Sequence, residues 1–146
     1  MKLTISTLLA QKGPQLFIVQ SSATVEVAVR EMNDHKVGCV VVMEGEAPVG
    51  IFTERDVLQR VVARGRPVTT PVSEVMTAPV ETVHPDLSID DAMTTITEKR
   101  HRHLPVVDQG KLIGLVSIGD ITRWLVATHK DEAQNLWHYI TGSYPS

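Results

Sequence analysis

Two short segments carry side chains suited to holding a small polar ligand: Thr53-Glu54-Arg55-Asp56 and Ser117-Ile118-Gly119-Asp120. An ionised carboxylate accepts two hydrogen bonds from the 2′ and 3′ hydroxyls of a ribose. A hydroxyl at a helix start, with free backbone N–H groups beside it, can hold a phosphate. The same spacing also has a structural reading, because Ser or Thr followed three residues later by an acid is a helix-capping pattern. A third segment, Arg100-His101-Arg102-His103, concentrates positive charge. Its guanidinium forks suit phosphate oxygens; a solvated surface run is the alternative. Two histidines at i, i+2 without a third histidine or a well-spaced acid make a poor metal site.

These residues recur in a pattern. Gly50-Ile51-Phe52-Thr53 leads to Asp56-Val57, and Gly114-Leu115-Val116-Ser117 leads to Asp120-Ile121, a constant offset of 64 residues. The same offset pairs Val25 with Ile89, Ala28 with Ala92, Met32 with Ile96 and Val42 with Val106. Apolar positions match in register, so the chain is an internal duplication. Each unit opens with an apolar run read as a strand, Leu16–Val19 in one and Val80–Val83 in the other. Val25, Ala28, Val29 and Met32 then fall at helical spacing, as do Ile89, Ala92, Met93 and Ile96. Strands are predicted at Cys39–Met43 and Val49–Thr53, and at Leu104–Val107 and Leu112–Ser117, with Gly45 and Gly110 in the turns. A second helix closes each unit, near Glu54–Arg64 and Ile118–Thr128.

The fold class is therefore α/β (α+β): two tandem β-α-β-β-α repeats. The expected boundaries are 1–66 for repeat one with an N-terminal helix, 67–71 for the linker, 72–128 for repeat two and 129–146 for a terminal helix and tail. Val72–Met76 opens unit two with a short helix, and Ile5–Leu9 is its counterpart in unit one. Leu136, Trp137 and Ile140 give the tail an apolar helical face. Trp124, Trp137 and Tyr139 suit a dimer interface, or the fastening of the last helix to its own chain.

Composition bounds the function. The chain has 146 residues, 42% of them hydrophobic and 21% charged, which fits a soluble globular protein. A chain of this length buries roughly two-thirds of its unfolded surface and needs no disulfide; the lone thiol, Cys39, reads as a small core residue. A net charge of −3 argues against a nucleic-acid partner. No apolar run is long enough to span a membrane, and the start is too polar for a signal peptide, so the cytoplasm is the expected compartment. No nucleophile elbow, Walker loop or dinucleotide fingerprint points to an enzyme. Asp90 and Asp91 fall in a first helical turn, where the helix dipole accounts for them.

The doubled unit, with its glycine-apolar-apolar-Thr/Ser-x-x-Asp entry to the last helix, resembles a tandem pair of CBS domains, the Bateman module. The segment Arg102-His103-Leu104-Pro105-Val106-Val107-Asp108 is similar to the second-strand signature of that family. The resemblance runs from about Phe17 to Thr128. It implies a pseudo-two-fold module with two clefts that bind adenosine-containing ligands: AMP, ADP, ATP or NAD(H), with S-adenosylmethionine ranked below them. It also implies a regulatory homodimer that signals to an unidentified protein; no catalytic cofactor and no metal are expected. The alternative is a dimeric scaffold with empty clefts. Val41 stands where Pro105 would recur, a departure that sets the two clefts apart.

By the repeat and the resemblance, one cleft uses Thr53, Arg55 and Asp56 with Thr77, Pro79 and Val80, and takes His101, Arg102, His103 and Pro105 for the phosphates and the strand beneath them. The partner cleft uses Ser117, Gly119 and Asp120 with Phe17, Val37 and Gly38. Phe17 and Val37 can sandwich an adenine ring, or can serve as plain core. Gly38 permits a close backbone approach to a ligand, or simply a tight strand entry.

Overall fold

The computed structural model describes residues 3–13 and 15–128, with Thr128 in backbone only. The predicted terminal helix, with Leu136, Trp137, Tyr139 and Ile140, lies outside the described residues.

Unit one contains α1 (Ile5–Lys12), β1 (Ile18–Gln20), α2 (Val25–His35), β2 (Cys39–Glu44), β3 (Ala47–Thr53) and α3 (Glu54–Asp56). The last continues over Val57–Val62 as a wide helix closed by bonds such as Ala63 N–H to Leu58 O. A 3₁₀ turn at Val72–Glu74 leads to unit two: α4 (Ile89–Lys99), β4 (His103–Asp108), β5 (Lys111–Ser117) and α5 (Ile118–Thr128). β1 pairs parallel to β2, which pairs antiparallel to β3; β4 and β5 form a separate antiparallel pair.

The offset of 64 governs the details. Thr24 caps α2 by accepting from Val27 N–H at 3.2 Å, and Ser88 caps α4 by accepting from Asp91 N–H at 3.1 Å. Both helices end on a left-handed residue, Lys36 with φ 55° and Arg100 with φ 58°. β2–β3 and β4–β5 share their register, and each slips at the same place, Val42/Met43 and Val106/Val107.

One predicted strand does not form. Val80–Val83 is reduced to a single parallel bridge between Val83 and Val106, in the register of Val19 with Val42. In unit one the N–H of Val41 donates to Phe17 O at 3.0 Å and extends the parallel pairing. Its counterpart is Pro105, which has no N–H, so the ladder stops after one bridge.

The opening helices pack crosswise. Ile5 and Leu8 of α1 are buried in the unit-two core with Ile89, Ala92, Leu104, Val116, Ile121 and Trp124. Val72 and Val75 lie in the unit-one core with Val25, Ala28, Val40, Val42 and Phe52. The linker residues dock on the start of α2, where Val25 and Glu26 N–H donate to Thr70 O and Val68 O. A third cluster, Val41, Met43, Ile51 and Leu115, joins the two sheets and takes Leu16, Cys39, Val80 and Leu112 against it. The two clefts open along this seam. Trp124, 6% exposed, belongs to its own chain's core.

Two candidate ligand clefts

At the end of β3, Thr53 and Asp56 form a reciprocal cap. Asp56 N–H donates to Thr53 Oγ1 at 3.1 Å, and Thr53 N–H donates to Asp56 Oδ2 at 3.0 Å. The same pair recurs at the end of β5, where Asp120 N–H donates to Ser117 Oγ at 3.1 Å and Ser117 N–H to Asp120 Oδ2 at 2.9 Å. Capping is thus realised in both units, and it turns each carboxylate inward; Asp56 is 5% exposed and Asp120 8%. Capping consumes one lone pair of each carboxylate and leaves others for a ligand.

The first cleft is a cavity of about 360 Å³, within the range of small-molecule sites. Thr53, Arg55, Asp56, Thr77, Pro79, Val80, His101, Arg102 and His103 all line it. Ile51, Gln59, Arg60 and Arg100 complete the wall. Thr77 comes from the segment after the 3₁₀ turn and is held by a backbone pair with Ile51, N–H to O at 2.8 and 2.9 Å. Its hydroxyl reaches Asp56 Oδ1 at 3.0 Å. Arg60, one helical turn beyond Asp56, stands 3.4 Å from Oδ1 and also donates to Met76 O at 2.8 Å. Arg55, Arg60, Arg100 and Arg102 therefore line the same cavity as one buried carboxylate. This arrangement can accept hydroxyl donors at its floor and bind an anion at its rim. Pro105 is buried in β4 opposite Leu115, beneath the cavity and not among its lining residues.

The second cleft is a cavity of about 320 Å³ that brings together Phe17, Val37, Gly38, Ser117 and Asp120. Gly119 is not among its lining residues; it sits where a Cβ would meet the Arg123 guanidinium at 3.4 Å. Phe17 does not face Val37 across an open slot on both faces, because its ring stacks on His35 at 4.1 Å and 20°. The carboxylate is engaged as well. Lys12 Nζ donates to Asp120 Oδ2 at 2.8 Å, and Arg123 donates to Oδ1 at 2.6 Å. Burial raises the Asp120 pKa, but the Lys12 and Ser117 hydrogen bonds outweigh it and hold the carboxyl below its ordinary value.

His103 lines both cavities, and Cys39, its counterpart, lines the second. Burial pushes the His103 pKa down, against the pull of Asp120 and Asp56. Burial pushes the Cys39 thiol up to about 11, so it is an inert packing group.

Sequence reasoning passed over Arg60, Lys12, Arg123 and His35. Arg60 and Arg123 were within reach of a helical argument, lying four and three residues beyond their carboxylates. Lys12 is 108 residues from Asp120 in the chain, and only the crosswise docking of α1 brings them together.

A CBS domain family model matches residues 13–63 and again residues 72–127. The chain belongs to the CBS-domain family, as a pair of such domains. It is 38% identical over 151 aligned residues to the mitochondrial CBS domain-containing protein CBSX3 of Arabidopsis thaliana, an alignment covering 97% of this chain and 73% of the relative. A proposed signal-transduction protein with CBS domains from Burkholderia ambifaria superposes with a TM-score of 0.77 at 40% identity, covering 85% of this chain and 94% of the other. The CBS domain protein PAE2072 of Pyrobaculum aerophilum, solved in complex with AMP, superposes with a TM-score of 0.71 at 29% identity, covering 81% and 89%. No helix among the described residues is long and apolar enough to cross a membrane.

Proposed function

We propose that this protein is a non-enzymatic regulatory module that binds an adenosine-containing ligand (AMP, ADP, ATP or NAD(H)) in the Asp56 cleft. The single observation that carries this reading is the buried, capped Asp56 carboxylate at the floor of a cavity rimmed by Arg55, Arg60, Arg100 and Arg102. In this reading Asp56 accepts from the ribose hydroxyls, and Thr77 holds the carboxylate in place. Arg102 and its neighbours take the phosphates, while Ile51 and Val80 offer apolar contact to the base. S-adenosylmethionine fits less well, because it carries no phosphate for the arginines. The AMP complex of the Pyrobaculum relative supports the ligand class.

The cavity is walled by both units, so a ligand there favours one relative arrangement of the two sheets over others. A partner protein would read that arrangement. Leu58, Val62 and Val126 present exposed apolar side chains on the closing helices, suited to a homodimer. Isothermal titration with AMP, ATP, NADH and S-adenosylmethionine tests the reading. Binding of a phosphate-bearing ligand below the millimolar range, lost in Asp56→Ala, is the expected result. Absence of binding by every ligand sinks it and leaves the dimeric scaffold with empty clefts. Absorbance near 260 nm in protein purified without added nucleotide is an inexpensive companion measurement.

A further inference from the structure

The carboxylates of the two clefts receive donors at matching positions from unlike groups. In the first cleft Thr77 serves twice: its N–H donates to Ile51 O at 2.8 Å, and its hydroxyl donates to Asp56 Oδ1 at 3.0 Å. Shifted by 64 residues, Ile51 and Asp56 become Leu115 and Asp120. The opening segments match at an offset of 67, since Ser73 N–H to Ser21 O recurs as Ser6 N–H to Pro85 O, so Thr77 corresponds to Ala10. Ala10 has no hydroxyl and continues the helix α1. Two residues further on, a lysine supplies both missing donors. Lys12 Nζ donates to Leu115 O at 2.7 Å and to Asp120 Oδ2 at 2.8 Å.

We propose that Lys12 is an intrachain plug of the Asp120 cleft, its ammonium holding the carboxylate that a ribose would need, so that the chain binds one nucleotide and not two. The proposal rests on the nucleotide-binding reading of the clefts. A ribose entering the second cleft would have to displace a charge-assisted bond with a neutral hydroxyl and leave a half-buried ammonium unpaired. Arg123 holds the other carboxylate oxygen at 2.6 Å, so cations occupy both sides of Asp120. In the Asp56 cleft the donor is a neutral hydroxyl, and the nearest cation, Arg60, stands farther off, at 3.4 Å, and donates to Met76 O. The plug is fixed at its base, because α1 is anchored by the buried Ile5 and Leu8. The depressed Asp120 pKa agrees with a carboxylate already partnered.

Titration calorimetry of the full chain with AMP and with ATP tests the proposal. The expected stoichiometry is one nucleotide per chain for wild type, two for Lys12→Met, none for Asp56→Ala and one for the Lys12→Met/Asp56→Ala double variant. Adding Asp120→Ala to the double variant removes that last site. Asp120→Ala alone leaves the wild-type stoichiometry at one, a result that needs no Lys12 variant to fold. Lys12→Gln, run alongside, opens the cleft as Lys12→Met does, and Lys12→Arg keeps it closed. Two sites in wild type, or a site in Asp56→Ala that Asp120→Ala abolishes, overturns the plug. So does a folded double variant that binds nothing. Binding in Lys12→Met but not in wild type would sink the Asp56 reading and leave the plug standing.

Discussion

The Asp56 and Asp120 clefts share a capping box, a strand pair and a left-handed helix end, all repeated at one offset, yet their walls have diverged in charge. Unit two contributes Arg100-His101-Arg102-His103 to the first cleft; unit one contributes Lys36-Val37-Gly38-Cys39 at the same places, and Val37, Gly38 and Cys39 line the second. Phe17 stacked on His35 in unit one corresponds to Glu81 paired with Lys99 at 2.7 Å in unit two. A duplication preserves what the backbone needs, namely caps, register and buried apolar faces. It leaves the side chains that face the cavities free to differ, and there one cleft is lined by four arginines while the other holds its carboxylate in an ion pair with Lys12.

The comparison can be broken most directly at the carboxylates. Asp56→Ala is expected to weaken nucleotide binding by at least about 30-fold, the effect of removing one partner of a buried polar interaction worth about 2 kcal/mol. Asp120→Ala in the same titration should change affinity less than about twofold. Equal losses would mean that the clefts are functionally equivalent.

The arginine rim should matter next. Arg102→Ala is expected to weaken ATP binding by about tenfold, in line with about 1.4 kcal/mol for a charge-assisted pair. The dependence of affinity on salt should flatten with it, and affinity for adenosine should not move. A loss shared by adenosine would remove Arg102 from the phosphates.

Smaller effects test the swapped pairings. Phe17→Glu should lower stability by about 1 kcal/mol through the lost ring stack, read as a shift in the urea midpoint. Adding His35→Lys should recover part of it by recreating the unit-two ion pair, about 0.5 kcal/mol at an exposed site. No recovery would show that the two positions have become independent.

The smallest effect is the pH response of His103. Its folded pKa lies below the ordinary value of 6.5, so the unfolded chain binds more protons in that range. Stability from this group is full above about pH 6.5 and is lost as pH falls toward the lowered folded value. His103→Gln should flatten that part of the stability curve. An unchanged curve would assign the slope to another histidine.

Much of this was legible in the sequence because duplication writes the same constraint twice. Val25, Ala28 and Met32 alone suggest a helix; Ile89, Ala92 and Ile96 at the same offset make the helix and its buried face a repeated requirement. Thr53 and Asp56 were readable as a cap because their spacing is that of a capping box, and the structure forms it. The lost strand at Val80–Val83 depended on a missing N–H at Pro105, which the sequence displays but whose pairing partner only the fold identifies. Lys12 was hidden for a related reason. Nothing local distinguishes it from a surface lysine, and its partner is chosen by where α1 docks.

The crosswise placement of the opening segments has a consequence for how the molecule can be divided. Cutting the chain between Arg66 and Pro71 would leave the first half without Val72 and Val75, and the second without Ile5 and Leu8. Each fragment would expose a groove shaped for a helix that travels with the other. Neither half carries the segment that completes its own core, and a single unit would have to borrow it from another copy of itself. The two repeats are therefore expected to unfold in one transition, as a single cooperative body.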